Sequence, residues 1–110
     1  MTILNTIKEV IPIPLDCTDF DGELILLANT AFFALKEIGI GPEVPFKIDS
    51  DTETSEFECE EGQLDAAMSY IALKVRKAFD PPANATLMQS LDNTIHEIET
   101  RLQWNSDYGM

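Results

Sequence analysis

The sequence predicts a mostly α fold: a small four-helix bundle-like domain with an acidic loop between its second and third helices, long enough to hold a short strand or hairpin. Three observations carry this reading. Prolines at 12, 14, 42, 45, 81 and 82 cut the chain into segments, and the apolar residues within those segments recur at helical spacing. The acids after Lys47 run through to Glu61 without a base among them. At 110 residues the chain buries about 60 to 68% of its unfolded surface, which builds one modest core and not two.

The first helix is short. Ile3, Leu4, Ile7, Val10 and Ile11 follow helical spacing behind Thr2 as the N-cap, and Pro12 and Pro14 close it. A loop over 12–20 leads to the second helix, 21–38, which Asp19, Asp21 and Glu23 start and Gly39, Gly41 and Pro42 stop. Acids suit the positive end of a helix dipole, and glycine suits a left-handed C-terminal cap. Leu24, Leu27, Ala28, Ala31, Leu35 and Ile38 form one stripe. Ile25, Leu26, Phe32 and Phe33 fall off that stripe, so the helix is apolar around most of its circumference. Such a helix must be surrounded, either at the centre of the bundle or by another subunit.

Residues 43–62 hold Asp49, Asp51, Glu53, Glu56, Glu58, Glu60 and Glu61. An ordered edge at 44–48, as a short strand, precedes a solvated loop whose ends are pinned to the body by Phe46 and Phe57. The third helix, 63–79, places Leu64, Ala67, Met68, Ile71, Val75 and Phe79 at core spacing. Lys74, Arg76 and Lys77 complement the negative end of its dipole, and Asp80-Pro81-Pro82 forbids continuation. Asn84 caps a fourth helix with the ladder Leu87, Leu91, Ile95, Ile98 and Leu102. The expected organisation is a single helical domain over 1–102 and a C-terminal tail over 103–110.

With 20 acids against 7 bases, the formal net charge is -13. Binding a polyphosphate backbone requires a row of cations that displaces counterions, and only Lys74, Arg76 and Lys77 cluster, which argues against specific nucleic-acid binding. No window approaches the ~20 apolar residues of a membrane span, and the N-terminus has no basic stretch before an apolar core. The expected setting is the cytoplasm.

Motifs for chemistry are weak. Cys17 and Cys59 are distant from each other and from His96, so they read as ordinary thiols. Asp49, Asp51, Glu53 and Glu60 mimic a calcium loop, yet Thr54 stands where such a loop needs glycine to turn. Asn84-Ala85-Thr86 matches a glycosylation acceptor, but a helix cap explains Asn84 better. His96 has Asp92 four residues before it without a nucleophile in register, so it reads as a surface histidine. No catalytic residue, metal or cofactor is expected.

Two features exceed what a self-contained monomer needs. One is the surplus apolar surface of the second helix. The other is the tail Gln103, Trp104, Asn105, Ser106, Asp107, Tyr108, Gly109 and Met110, with two aromatics of the kind enriched at interface hot spots. Both favour an interaction protein.

Three blocks give the chain a family resemblance. The first joins Ile3-Leu4-Asn5-Thr6-Ile7-Lys8 to Phe20-Asp21, Asn29-Thr30 and the close at Leu35 to Gly39-Ile40-Gly41-Pro42. The second and most specific is Ser69-Tyr70-Ile71-Ala72-Leu73-Lys74-Val75-Arg76-Lys77-Ala78-Phe79-Asp80-Pro81-Pro82. The third is the final helix with Ile95, Glu97-Ile98-Glu99 and Arg101-Leu102. In order and over nearly the whole chain, these blocks resemble the head-to-tail connector (adaptor, or head completion) proteins of long-tailed bacteriophages. Where that family places Trp directly before the Arg-Leu pair, this chain has Thr100, and its Trp stands two positions after the pair, at Trp104.

The resemblance implies a homo-oligomeric ring, expected to be a dodecamer, in the virion neck after assembly in the host cytoplasm. Its partners would be the portal protein above and a tail-side neck, stopper or tail terminator protein below. The tail, Gln103 to Met110, is the candidate portal-binding segment. Ile25, Leu26, Phe32 and Phe33 are the candidate subunit interface, since a ring joins one face of each subunit to a different face of the next. Asp49, Asp51, Glu53, Glu56 and Glu58 are candidates for an acidic channel surface along which DNA passes without specific binding. A reading from a different class is an acidic DNA mimic that inhibits a host defence nuclease, as the charge alone would permit.

Overall fold

The computed structural model describes residues 2–42, 46–60 and 62–108, with side chains described as far as Gln103. Four helices follow in order: α1 (Ile3–Val10), α2 (Asp21–Glu37), α3 (Leu64–Phe79) and α4 (Ala85–Tyr108), with a short 3-10 turn at Thr54–Glu56 between α2 and α3. Each boundary has the local cause that the sequence supplies. Thr2 Oγ1 accepts from the Asn5 N–H at 3.1 Å and caps α1. Gly39 at φ 86 ends α2 in the left-handed region, where a β-carbon is penalised. Asn84 Oδ1 accepts from the N–H groups of Thr86 (2.7 Å) and Leu87 (3.2 Å) at the start of α4.

The bundle is organised around α3, which packs against each of the other three helices. Ala67, Ile71, Ala72 and Val75 are at most 1% exposed, and the alanines let neighbouring backbones approach. The same buried core includes Ile3 and Ile7 of α1, Leu24, Ala28, Phe32 and Leu35 of α2, and Leu91, Ile95 and Leu102 of α4. Full burial of each large aliphatic chain contributes about 1.5 to 3 kcal/mol before entropy is counted. The surplus apolar surface of α2 therefore does not place that helix at the centre. Its inner side is covered, while Leu26 (66% exposed) and Phe33 (53%) point away from the core.

The antiparallel pairing of α3 and α4 is marked by two polar links. The Tyr70 hydroxyl donates to Glu99 Oε2 at 3.1 Å, and Lys77 Nζ meets Asp92 Oδ1 at 2.6 Å. Burial first, and the Glu99 carboxylate second, push the Tyr70 phenol well above its ordinary range, so it stays a hydrogen-bond donor. The helix backbone continues past Leu102 through Tyr108, so residues 103–108 of the predicted tail are helical.

No strand forms among the described residues of the interhelical segment. Val44 and Pro45, which belong to the predicted edge, lie outside the described residues. The Asn29 side chain instead accepts from the Ile48 N–H at 2.7 Å and donates to the Ile48 carbonyl at 3.5 Å. A side-chain amide thus takes the place of a strand partner. A single antiparallel bridge joins Thr2 to Glu53, and the Ile3 N–H donates to the Thr52 carbonyl at 2.9 Å. Phe46 and Phe57 do anchor the segment, as their rings and Phe32 meet pairwise at centroid distances of 5.1 to 5.2 Å. Gly41, at φ 98, runs so close to Phe57 that a β-carbon would lie 2.7 Å from the ring.

Lys8 is buried at 2% exposure, and its ammonium group ties three segments together. It donates to the carbonyls of Cys17 (2.7 Å) and Leu15 (3.4 Å) and pairs with Asp21 Oδ1 at 2.7 Å, at the first residue of α2. Removing one partner of such a pair strands the other charge. Lys8→Met is expected to lower unfolding free energy by about 3 kcal/mol, measured by urea denaturation. Gly41→Ala is expected to destabilise by about 1 to 3 kcal/mol, through overpacking against Phe57 and the strained φ.

Candidate functional site: the outer face of α2 and the acidic edge

Leu26 and Phe33 stand seven residues apart, two turns on one side of α2. Thr30 lies between them with its hydroxyl turned back to the Leu26 carbonyl at 3.1 Å, so it presents little polarity outward. Ile25 is half-buried at the margin of this face. Phe32 does not belong to it. At 1% exposure its ring fills the core between Phe46 and Phe57, so it is corrected from interface candidate to core residue. Counting α2 as a uniformly apolar cylinder missed that the 46–57 segment covers one flank.

Asp49, Asp51, Glu53, Glu56 and Glu58 are all exposed, on the edge of the domain formed by the segment that packs on α1 and α2. The segment is more ordered than a solvated loop. Asp49 Oδ1 accepts from the Asp51 N–H (2.8 Å) and the Thr52 hydroxyl (3.0 Å), while Glu56 Oε2 accepts from the Glu53 N–H at 2.6 Å. These bonds, led by the one from Asp51, hold the Asp49 carboxyl below its ordinary value. The calcium-loop pattern is thus spent on a turn, with Asp49 facing its own backbone. Among the described residues no group of three or more His, Cys, Asp or Glu is arranged to hold a metal.

The other candidates for chemistry are dispersed. His96 is exposed, and Asp92 pairs with Lys77. Cys17 and Cys59 are free and half-buried, and burial, then the Glu60 charge, pushes the Cys59 thiol up. Of the C-terminal candidates, the backbone through Tyr108 is helical and Gln103 is exposed. The side chains from Trp104 to Tyr108, and all of Gly109 and Met110, lie outside the described residues. No helix among the described residues is long and apolar enough to cross a membrane.

Among the described residues the candidate site therefore comprises one exposed apolar face on α2 and one ordered acidic edge. Sequence reasoning missed a further feature of that kind, the exposure of Leu87 (59%) at the start of α4, because Leu87 stands in perfect register with the buried ladder.

A family model described as "Phage connector protein" matches residues 3–109. No curated protein and no solved structure matches the chain.

A depressed carboxyl stabilises the fold above its unfolded value and ceases to do so as pH falls through the folded value. In a carbon-detected NMR titration Asp49 is therefore expected to protonate at lower pH in the folded chain than in the urea-unfolded chain, and Thr52→Val is expected to narrow that difference.

Proposed function

Since the chain belongs to the phage connector protein family, we propose that it forms a ring beneath the portal of a tailed-phage head and extends the DNA exit channel. The connector role is structural and draws on no catalytic residue. The observation that carries the ring is the outer face of α2: Leu26 and Phe33 leave a large apolar surface in water that a neighbouring subunit would cover. Ile25 joins that contact at its margin. The number of subunits we propose is twelve, following the resemblance of the sequence to adaptor proteins.

The remaining assignments follow from position. The last turns of α4, from Gln103, together with Gly109 and Met110, engage the portal protein, and the opposite end of the ring meets a tail-side neck, stopper or terminator protein. The acidic edge at Asp49, Asp51, Glu53, Glu56 and Glu58 faces the channel, where like charge keeps DNA from adhering. The protein works in the virion neck, after assembly in the host cytoplasm. The DNA-mimic alternative draws on charge alone, and family membership adds nothing to it.

The test is complementation of a phage that lacks the chain. Phe33→Asp removes no core contact and is expected to change stability by less than about 0.5 kcal/mol, yet to leave heads without tails. A chain ending at Leu102 is expected to unfold as cooperatively as the full chain, with far-UV circular dichroism lowered only by the helical residues removed, and to be missing from particles. Normal titres with both variants would contradict the proposal.

A further inference from the structure

A closed ring of identical subunits needs two different faces on each, and the outer face of α2 supplies only one. The inference made here rests on the ring reading and concerns the face that receives it. Among the helices α4 packs chiefly on α3, and α2 turns Leu26 and Phe33 away from the core. The α4 side and the outer face of α2 are therefore two different faces of the domain, as a head-to-tail contact requires.

On the α4 edge, between the end of α3 and the start of α4, lies a crevice of about 220 Å³ lined by Leu73, Arg76, Pro82, Leu87 and Leu91. Leu87 stands on its lip, 59% exposed. Arg76 Nε is buried and has no hydrogen-bond acceptor among the described residues. A guanidinium does not lose its proton, and a buried donor without an acceptor is a standing cost to the isolated chain. The crevice thus lacks two things, an apolar cover and, among the described residues, a carboxylate for the reachable part of the Arg76 guanidinium.

The outer face of α2 has both. Glu23, Leu26, Phe33 and Glu37 are all exposed and recur at steps of three, seven and four residues, which keeps them on one side of the helix. Apolar side chains flanked by carboxylates match a crevice whose mostly apolar walls, with Ser90 and Thr94 among them, carry one arginine. We propose that the α3–α4 crevice of one subunit receives the outer face of α2 from a second copy of this chain. Leu26 and Phe33 cover Pro82 and Leu87, and a carboxylate of Glu23 or Glu37 accepts from Arg76.

Disulfide trapping in purified virions tests this. In a Cys17→Ser, Cys59→Ser background, Phe33→Cys with Leu87→Cys in the same chain is expected to give, on oxidation, a ladder of covalent multimers. Each cysteine alone is expected to give none, and particles carrying a mixture of the two single variants to give heterodimers. Homodimers from a single variant would show a symmetric contact and overturn the proposal. So would the double variant incorporated at normal copy number without a ladder, a result that leaves the connector reading standing. Absence of the wild-type chain from virions would instead remove the ring reading and this inference with it. A second measurement does not depend on cysteine: Arg76→Glu is expected to abolish incorporation, and Glu23→Arg with Glu37→Arg in the same chain to restore it. Failure of that rescue with soluble, helical protein counts against the proposal.

Discussion

The packing of three helices onto α3 is the constraint from which the rest of the structure follows. With one core available, a single helix must be shared by the others, and α3 holds that place through Ala67, Ile71, Ala72 and Val75. Once α3 is central, α2 can offer it only one side. The apolar residues of α2 that face neither α3 nor the 46–57 segment are then left in water. Among the helices α4 touches chiefly α3, and Leu87 at its start is exposed. The exposure of Leu26 and Phe33, and that of Leu87, are consequences of one packing decision, while Leu15 and Phe20 are exposed around the loop before α2.

Around that centre, polar groups tie down the segments that helices alone would leave loose. Lys8 gathers the 12–20 loop and the start of α2 about one ammonium group, with a carboxylate and two carbonyls compensating its burial. Asn29 holds the Ile48 backbone, and Asp49 and Glu56 satisfy the turns that follow it. These bonds let a strongly acidic stretch keep one shape. A shaped acidic edge can serve a channel wall, where fixed like charge repels a phosphate backbone. The same geometry leaves no carboxylate cluster poised for metal among the described residues.

Much of this was legible in the sequence, for reasons that differ by element. Helix starts and stops were readable because each rests on a local cause: Thr2, Gly39, Asn84 and the Pro81-Pro82 pair act within a few residues of themselves. Phe46 and Phe57 were readable as anchors because an aromatic ring in a polar stretch has few other uses. The centrality of α3 was not, since periodicity reports that a helix has a buried face and not how many neighbours share it. Phe32 was misplaced for the same reason, as its cover comes from a segment more than a dozen residues away. The buried Lys8 also escaped, because a lysine near the end of a short helix reads as a partner for the dipole. Of the proposed assembly surface, Leu26 and Phe33 were visible as surplus. Arg76 was visible only as a cation at a helix end, and its lack of an acceptor is a property of three dimensions.

The central claim, a ring of this chain in the neck of a phage particle, is tested most directly by its copy number relative to the portal protein in purified virions, read by quantitative mass spectrometry. The account predicts the chain in every particle preparation, in a fixed ratio to the portal that corresponds to one closed ring per head. A chain absent from virions, or present at a small fraction of the portal, would contradict it.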